Sequence, residues 1–279
     1  MPIGLLVVCL QQKFIEIRYL NVSGDFQITH IDSRKDGLVN SLKMAIKNYL
    51  SNDTPDMQIH NMGVLITENI LGSSSERKEV YDLILSHFQF RFLEYVPNPL
   101  IYCFGTEIPD AIVMDIDENC LVATPVCQFK LLDENICIST RGSEDLVTCI
   151  TDDDRTNLYK SIFGTNDEKE YEQNDLSICM MIDRLKKKLP IDIRKSLTGN
   201  IVLSGNCASS LLEYTKTIQI SFNIKTIELD VFRSCALKYG THLLKEKCTA
   251  ANTPDGIEST RQDFNENLDS MDWYESNFS

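Results

Sequence analysis

Three acidic residues crowd into one short turn near the middle of the chain. The apolar run Ala111-Ile112-Val113-Met114 is followed by Asp115, and Asp117 and Glu118 come within the next three residues. Carboxylates at the end of a strand can hold a hydrated divalent cation. Close like charges, however, oppose the approach of an anion. The turn therefore disfavours a bound phosphate.

Cysteine and histidine are the other residues that could do chemistry. The chain has ten cysteines and four histidines, with no C-x-x-C pair and no cluster that has zinc spacing. Without a secretion signal, this usage predicts buried, reduced thiols in a cytosolic protein. Spacing alone leaves a catalytic Cys–His pair open as an alternative.

Composition narrows the class of protein. The chain has 279 residues, is 43% hydrophobic and carries a net charge of −14, so it can form a core but repels nucleic-acid phosphates. No apolar run has the length of a membrane span. The apolar N-terminus, Met1–Leu10, has no basic lead or cleavage site and favours a buried strand over a signal peptide.

Strands and helices alternate along the chain. Residues 3–10 and 14–20 predict a hairpin, and residues 112–114 and 121–125 predict a second one. Apolar spacing predicts helices over 37–50, 176–189 and 232–244, and another that begins near Ser75 as its N-cap. Further strands are predicted at 62–66 and 201–203. This alternation indicates an α/β fold.

The last segment, residues 249–279, has a different composition. It holds seven acids and one base with few aliphatic residues, which predicts a disordered acidic tail. Phe264, Leu268, Met271 and Trp273 have near-helical spacing, so a short helix that docks on a partner is the alternative.

Two stretches carry a family resemblance. Residues 192–205, DIRKSLTGNIVLSG, resemble the DIRK-to-SGG segment of the actin family, and residues 111–115, AIVMD, resemble its second phosphate-binding strand. Weaker colinear matches extend the resemblance over residues 60–245. It implies an α/β actin-like fold of the actin/Hsp70 ATPase type, in which two hairpins face each other across a nucleotide cleft.

The resemblance breaks at the positions that would bind ATP. The first hairpin turn has Gln11 and Gln12 in place of the family's aspartate and glycines. The second has Asp115-Ile116-Asp117-Glu118-Asn119 in place of D-S-G-D-G, and the adenosine turn S-G-G is Ser204-Gly205-Asn206. Glycines let backbone N–H groups approach phosphates. We therefore expect the degenerate cofactor positions to bind neither nucleotide nor metal: Gln11, Gln12, Asp115, Asp117, Glu118, Asn119, Gly205 and Asn206.

Catalysis is also not expected. An ungapped comparison places Asn98, between Pro97 and Pro99, at the family's catalytic glutamine. A shorter amide between two prolines is poorly suited to orient an attacking water. The resemblance therefore implies a protein that is not an enzyme.

Two family segments are too short in this chain. Family members have four subdomains, with subdomain 2 inserted before the strand that resembles residues 64–68 and subdomain 4 inserted in the second half. Here both insertions are replaced by short segments. We expect a fold reduced to subdomains 1 and 3, with residues 1–110 and 229–248 subdomain 1-like, residues 111–228 subdomain 3-like, and residues 249–279 a disordered tail.

A subunit that keeps subdomains 1 and 3 but lacks subdomains 2 and 4 suggests a protein that terminates a filament. In a head-to-tail polymer each interface joins two different surfaces, so a subunit with one of them joins an end and stops growth. Within the family this resembles the divergent actin-related proteins at the pointed end of dynactin, in their reduced fungal form. The implied partners are the actin-related filament subunit of dynactin and other pointed-end subunits, without nucleic acid or membrane, in the cytoplasm and cytoskeleton.

Two alternatives stay open. A non-catalytic actin-related subunit of a nuclear chromatin-remodelling complex also loses nucleotide chemistry, but such subunits usually gain insertions. The nearest run to a nuclear signal, residues 184–188, lies on the amphipathic segment 176–189, where a solvated face is its expected role. A working nucleotide enzyme of the wider class would need the missing phosphate turns.

Overall fold

The structure is a computed structural model of the 279-residue chain. It describes residues 4–10, 14–21, 28–32, 37–52, 59–70, 74–117, 119–140, 142, 176–205, 208 and 223–250. The chain divides into two compact units: unit 1 comprises Met1–Ile101 and Ala236–Ser279, and unit 2 comprises Tyr102–Cys235.

Unit 1 contains a five-stranded sheet in the order β3-β2-β1-β4-β5. β1 pairs antiparallel with β2 and parallel with β4, and β4 pairs parallel with β5. The strands are β1 Gly4–Leu10, β2 Phe14–Asn21, β3 Ile28–Asp32, β4 Met62–Glu68 and β5 Phe92–Pro97.

Helices cover this sheet. All residues of β1 and β4 are buried, as expected for central strands with both faces packed. α1 buries Leu42, Ala45, Ile46 and Tyr49, which share one helical face. The helical segments are α1 Leu38–Asn52, a short 3₁₀ helix Ile59–Asn61, α2 Ser74–Tyr81 and a π-helical turn Asp82–His87.

Unit 2 contains a six-stranded sheet in the order β11-β10-β6-β7-β8, with β9 also paired to β7. β10 runs parallel to both β6 and β11, and β6–β7 is an antiparallel hairpin. The strands are β6 Ala111–Ile116, β7 Leu121–Cys127, β8 Lys130–Leu131, β9 Cys137–Ser139, β10 Asn200–Gly205 and β11 Asn223–Ile227.

The remaining helices follow from amphipathic spacing and capping. They are α3 Asn98–Thr106, α4 Ile178–Lys188, α5 Ile191–Gly199 and α6 Leu229–Ala250, with a 3₁₀ turn at Asp133–Asn135. In α4, the Ser177 hydroxyl accepts a hydrogen bond from the Met180 N–H, which caps the helix N-terminus. The chain passes from unit 1 to unit 2 within α3 and returns within α6.

Most predicted elements are confirmed. Both hairpins and the helices at 37–50, 176–189 and 232–244 are present. The prediction that Ser75 is the N-cap of α2 is wrong, because α2 begins at Ser74. Several elements were not predicted from the sequence, namely β3, β5, β8, β9, β11, α3 and α5. Pro97 ends β5 and Pro99 lies in the first turn of α3, where a missing N–H removes no helical hydrogen bond.

Some predictions fall outside the described residues. The predicted tail is one of them, apart from Thr249 and Ala250, which end α6. The acidic loop at 151–155 is another. Within the described part of the chain, no helix is long and apolar enough to cross a membrane.

Candidate functional site

Asp115 lies near the end of β6, in the middle of the unit 2 sheet. β6 is paired on one side with β10 and on the other with β7, and Asp115 stands in register with Ser204. The Ser204 hydroxyl donates a 2.7 Å hydrogen bond to Asp115 Oδ1. Both side chains are buried. A carboxylate oxygen that the family would turn toward magnesium is thus bonded to a neighbouring strand.

The ionised form of Asp115 is disfavoured. Burial raises the pKa of this carboxyl to about 6; the Ser204 hydrogen bond opposes the shift, and the nearby negative charge of Asp117 adds to it. No basic side chain among the described residues contributes to this shift. A buried carboxylate without a nearby cation is stabilised when it takes up a proton or a cation. Within the described residues, no group of three His, Cys, Asp or Glu is arranged to hold a metal ion.

The turn between β6 and β7 is closed by a backbone hydrogen bond. The Asp117 N–H donates to the Cys120 carbonyl over 2.9 Å, and Ile116 pairs with Leu121 across the hairpin. The Asp117 N–H is therefore not available to a phosphate oxygen. Asp117 is half-buried and Asn119 is exposed, while Glu118 lies outside the described residues. Among the described residues of this turn, the Asp117 N–H is thus a donor that a phosphate cradle could not use.

Gly205 is needed for packing between strands. Its φ is +99°, and a Cβ at this position would lie 2.0 Å from the Ile116 carbonyl oxygen. The glycine lets β10 and β6 approach each other at their ends. Its presence is therefore explained without a ligand. Asn206, the next position of the predicted adenosine turn, lies outside the described residues.

The first hairpin contains a buried ion pair on β2. Gln11 and Gln12 lie outside the described residues, between the ends of β1 and β2. On β2, the Arg18 Nε donates to Glu16 Oε1, and the two side chains are 6% and 1% exposed. The positive charge of Arg18 is thus neutralised within the strand.

A second set of buried polar groups lies at the carboxyl edge of β4 and β5. Glu68 ends β4 and forms a buried ion pair with Arg77 of α2. Three further buried atoms have no hydrogen-bond partner within the described part of the chain, namely Thr67 Oγ1, Tyr95 Oη and Asn98 Oδ1. Asn98, the position of the family's catalytic glutamine, is the first residue of α3 and is 3% exposed.

Burial favours the protonated thiol at five of the seven described cysteines. Burial raises the pKa of Cys103 to about 12 and that of Cys120 to about 11, and it also raises the pKa values of Cys127, Cys137 and Cys179. The seven described cysteines form no disulfide. Nucleophilic chemistry needs the thiolate, so these five residues lack the electrostatics of a catalytic cysteine.

Sequence reasoning did not find the two ion pairs or the role of Ser204. Glu16 and Arg18 are two residues apart on a strand, so they share a face, and their opposite charges were a usable signal. The Ser204–Asp115 bond joins residues 89 positions apart. It depends on the parallel pairing of β10 with β6, which no local pattern reveals.

Comparison with known proteins supports one relationship. The chain matches no protein-family model. It is 27% identical over 142 residues to the actin-like protein ARP10 of Saccharomyces cerevisiae, a match that covers 50% of this chain and 49% of that protein. The matched region thus spans about half the length of this curated relative. The match supports a divergent actin-related protein, and the two mixed sheets are consistent with a partial actin-like α/β fold.

Proposed function

We propose that this chain is a non-catalytic structural subunit that caps the pointed end of a short actin-related filament, as in dynactin. In this role it supports dynein-dependent transport along microtubules, and it resides in the cytoplasm with the cytoskeleton. Its partners are the filament-forming actin-related subunit and other pointed-end subunits.

The segment between β2 and β4 carries the proposal. In the family this is where subdomain 2 is inserted. Here β3 pairs with β2, and α1 packs its apolar face into the unit 1 core. The described residues of the segment are thus part of unit 1, and the sixteen others in three short stretches are too few to fold as a separate subdomain. A capping subunit would lack this surface, on which the next subunit would rest.

The geometry of the second hairpin supports a non-catalytic role. The turn N–H of Asp117 is bonded within the hairpin, and Asp115 is bonded to Ser204. Tight nucleotide binding uses free backbone donors and ionised carboxylates around magnesium. The absence of a bound nucleotide stays a prediction, which calorimetric titration of the purified chain with Mg-ATP would test. Micromolar or tighter binding would contradict it.

The partner proposal is tested by purification of the tagged full chain from its native cells. We expect dynactin subunits to be recovered in constant proportion to the chain. A tagged Arg77→Met variant, which breaks the unit 1 ion pair, serves as a misfolding control that recovers chaperones rather than partners. Recovery of remodelling-ATPase subunits in place of dynactin would overturn the proposal and favour the nuclear alternative.

A further inference from the structure

One exposed face of α4 combines positive charge with apolar side chains. Arg184, Lys187 and Lys188 are exposed on this helix, and Met180 on the same face is 37% exposed. These four positions have the i, i+4, i+7, i+8 spacing of one helical stripe. Ile191, three residues beyond Lys188 at the start of α5, is 82% exposed. We call these five residues the basic stripe.

The charges of the basic stripe have no partner of their own. Across the part of the chain that the structure describes, no ion pair or hydrogen bond involves the side chains of Arg184, Lys187 or Lys188, whereas the neighbouring Lys186 pairs with Asp183 at 3.3 Å. Bases in the last turn of a helix interact favourably with its dipole. That interaction explains the position of the bases but not the 82% exposure of Ile191.

The positive charge of the basic stripe is opposite in sign to the net charge of the whole protein. The chain carries a net charge of −14, so an anionic partner is repelled everywhere except at a local cluster of bases. Such a cluster fixes the orientation in which an acidic surface docks. Apolar residues at both ends then offer the contact area that a charge pair alone lacks.

We propose that the basic stripe is the docking surface for an acidic helical segment of a partner protein, with apolar side chains at both ends of its acidic face. A membrane surface fits less well, because the broad apolar face of α4 is already buried in the unit 2 core through Ile178, Met181, Ile182 and Leu185. Nucleic acid fits less well, because its phosphates offer nothing to Met180 and Ile191 and are repelled by the rest of the chain. The inference goes beyond capping and does not depend on it.

The test uses the purified full chain and a fluorescein-labelled synthetic helical peptide of about 20 residues. The peptide carries glutamates at i, i+3 and i+4, with a leucine at each end of that face. We expect the triple variant R184Q/K187Q/K188Q to bind it about tenfold more weakly than wild type. Ile191→Ser is expected to weaken binding about fivefold while leaving its salt dependence unchanged.

A matched control removes the same charge elsewhere. Lys47, Lys78 and Lys225 are exposed, and the variant K47Q/K78Q/K225Q is expected to bind the peptide as wild type does. Circular dichroism and urea unfolding establish that each variant is folded. Equal weakening in both triple variants, no peptide binding by wild type, or displacement of the peptide by an equally charged oligonucleotide or by phosphatidylserine vesicles would overturn the proposal.

Discussion

Each of the two units has a buried carboxylate at or near the end of a central strand, but the groups that surround the two carboxylates differ. In unit 1, Glu68 ends β4 and is paired with the guanidinium of Arg77. In unit 2, Asp115 on β6 receives only the hydroxyl of Ser204 and lies near a second carboxylate, Asp117. Burial raises the pKa of both acids, but only Glu68 has a cation that lowers it.

The difference lies in how far a cation offsets the cost of burying the carboxylate. In unit 1, Arg77 offsets part of that cost, although burial still raises the pKa of Glu68. Removing Arg77 would be costly because the remaining charge would be left buried and unpaired. Among the described residues no cation offsets the burial of Asp115, and a buried carboxylate of this kind gains when it is neutralised.

Arg77→Met is expected to have the largest effect. It leaves Glu68 buried and unpaired, which costs about 3–5 kcal/mol of the free energy of unfolding. Urea unfolding followed by circular dichroism measures the loss. The double variant E68Q/R77M is the control and should recover most of it. A loss below about 1 kcal/mol in the single variant would mean that Glu68 does not depend on Arg77, and that the two buried carboxylates do not differ in this respect.

Gly205→Ala tests whether the end of β10 is shaped by strand packing. The new Cβ would meet the Ile116 carbonyl oxygen at a backbone φ of +99°, and strain with overpacking is expected to cost about 2–4 kcal/mol. Gly199→Ala is the matched control, since a Cβ there meets nothing within 4 Å. It should be neutral or slightly stabilising. Equal stability of the two variants would mean that Gly205 is not held against β6.

Asp115→Asn is expected to stabilise the protein at pH 7.5 by about 1–3 kcal/mol. The carboxyl has a pKa of about 6 in the fold against an ordinary value of 3.8. Well below pH 3.8 the carboxyl is protonated in both states and carries no penalty. As the pH rises to about 6 the unfolded chain ionises first, so the stability of the wild type falls across this window.

Urea unfolding at pH 4, 5, 6 and 7.5 measures this window directly. The slope that Asp115 contributes should be missing in Asp115→Asn, with the gain over wild type largest at pH 7.5. A variant that is less stable than wild type at pH 7.5 would show that the fold needs the ionised carboxylate of Asp115.

Ser204→Ala gives the smallest effect. Among the described residues, the Ser204 hydroxyl is the only hydrogen-bond donor to the Asp115 carboxylate. Loss of this hydrogen bond should cost about 1 kcal/mol of the free energy of unfolding at pH 7.5 in the otherwise wild-type chain. In the Asp115→Asn background the cost should shrink. A double-mutant cycle measures this coupling, and strictly additive effects would remove Ser204 as the partner of Asp115.

Local patterns in the sequence predicted many of the elements, and they also indicated the positions at which the resemblance to the actin family breaks. Apolar alternation predicted both hairpins, and helical spacing predicted α1, α4 and α6. The substitution of acids for glycines in residues 115–119 predicted a turn unsuited to phosphate. Each of these is a property of neighbouring residues.

Pairing between distant segments was beyond the sequence. β5 was not predicted because Pro97 and Pro99 suggested a break, although Pro97 only ends the strand and Pro99 lies in α3. The Glu68–Arg77 pair and the Ser204–Asp115 bond depend on which elements pack together. The assignment of residues 1–110 with 229–248 and of 111–228 to subdomains 1 and 3 stays a prediction, as does the empty nucleotide site.

The central proposal is that this chain ends a filament by joining it with one surface and lacking the other. The most direct measurement is the length of the actin-related filament in assemblies isolated from cells with and without the chain, by electron microscopy. We expect filaments of one fixed length when the chain is present, and longer filaments of variable length when it is removed. Filaments of the same fixed length in both samples would contradict a capping role.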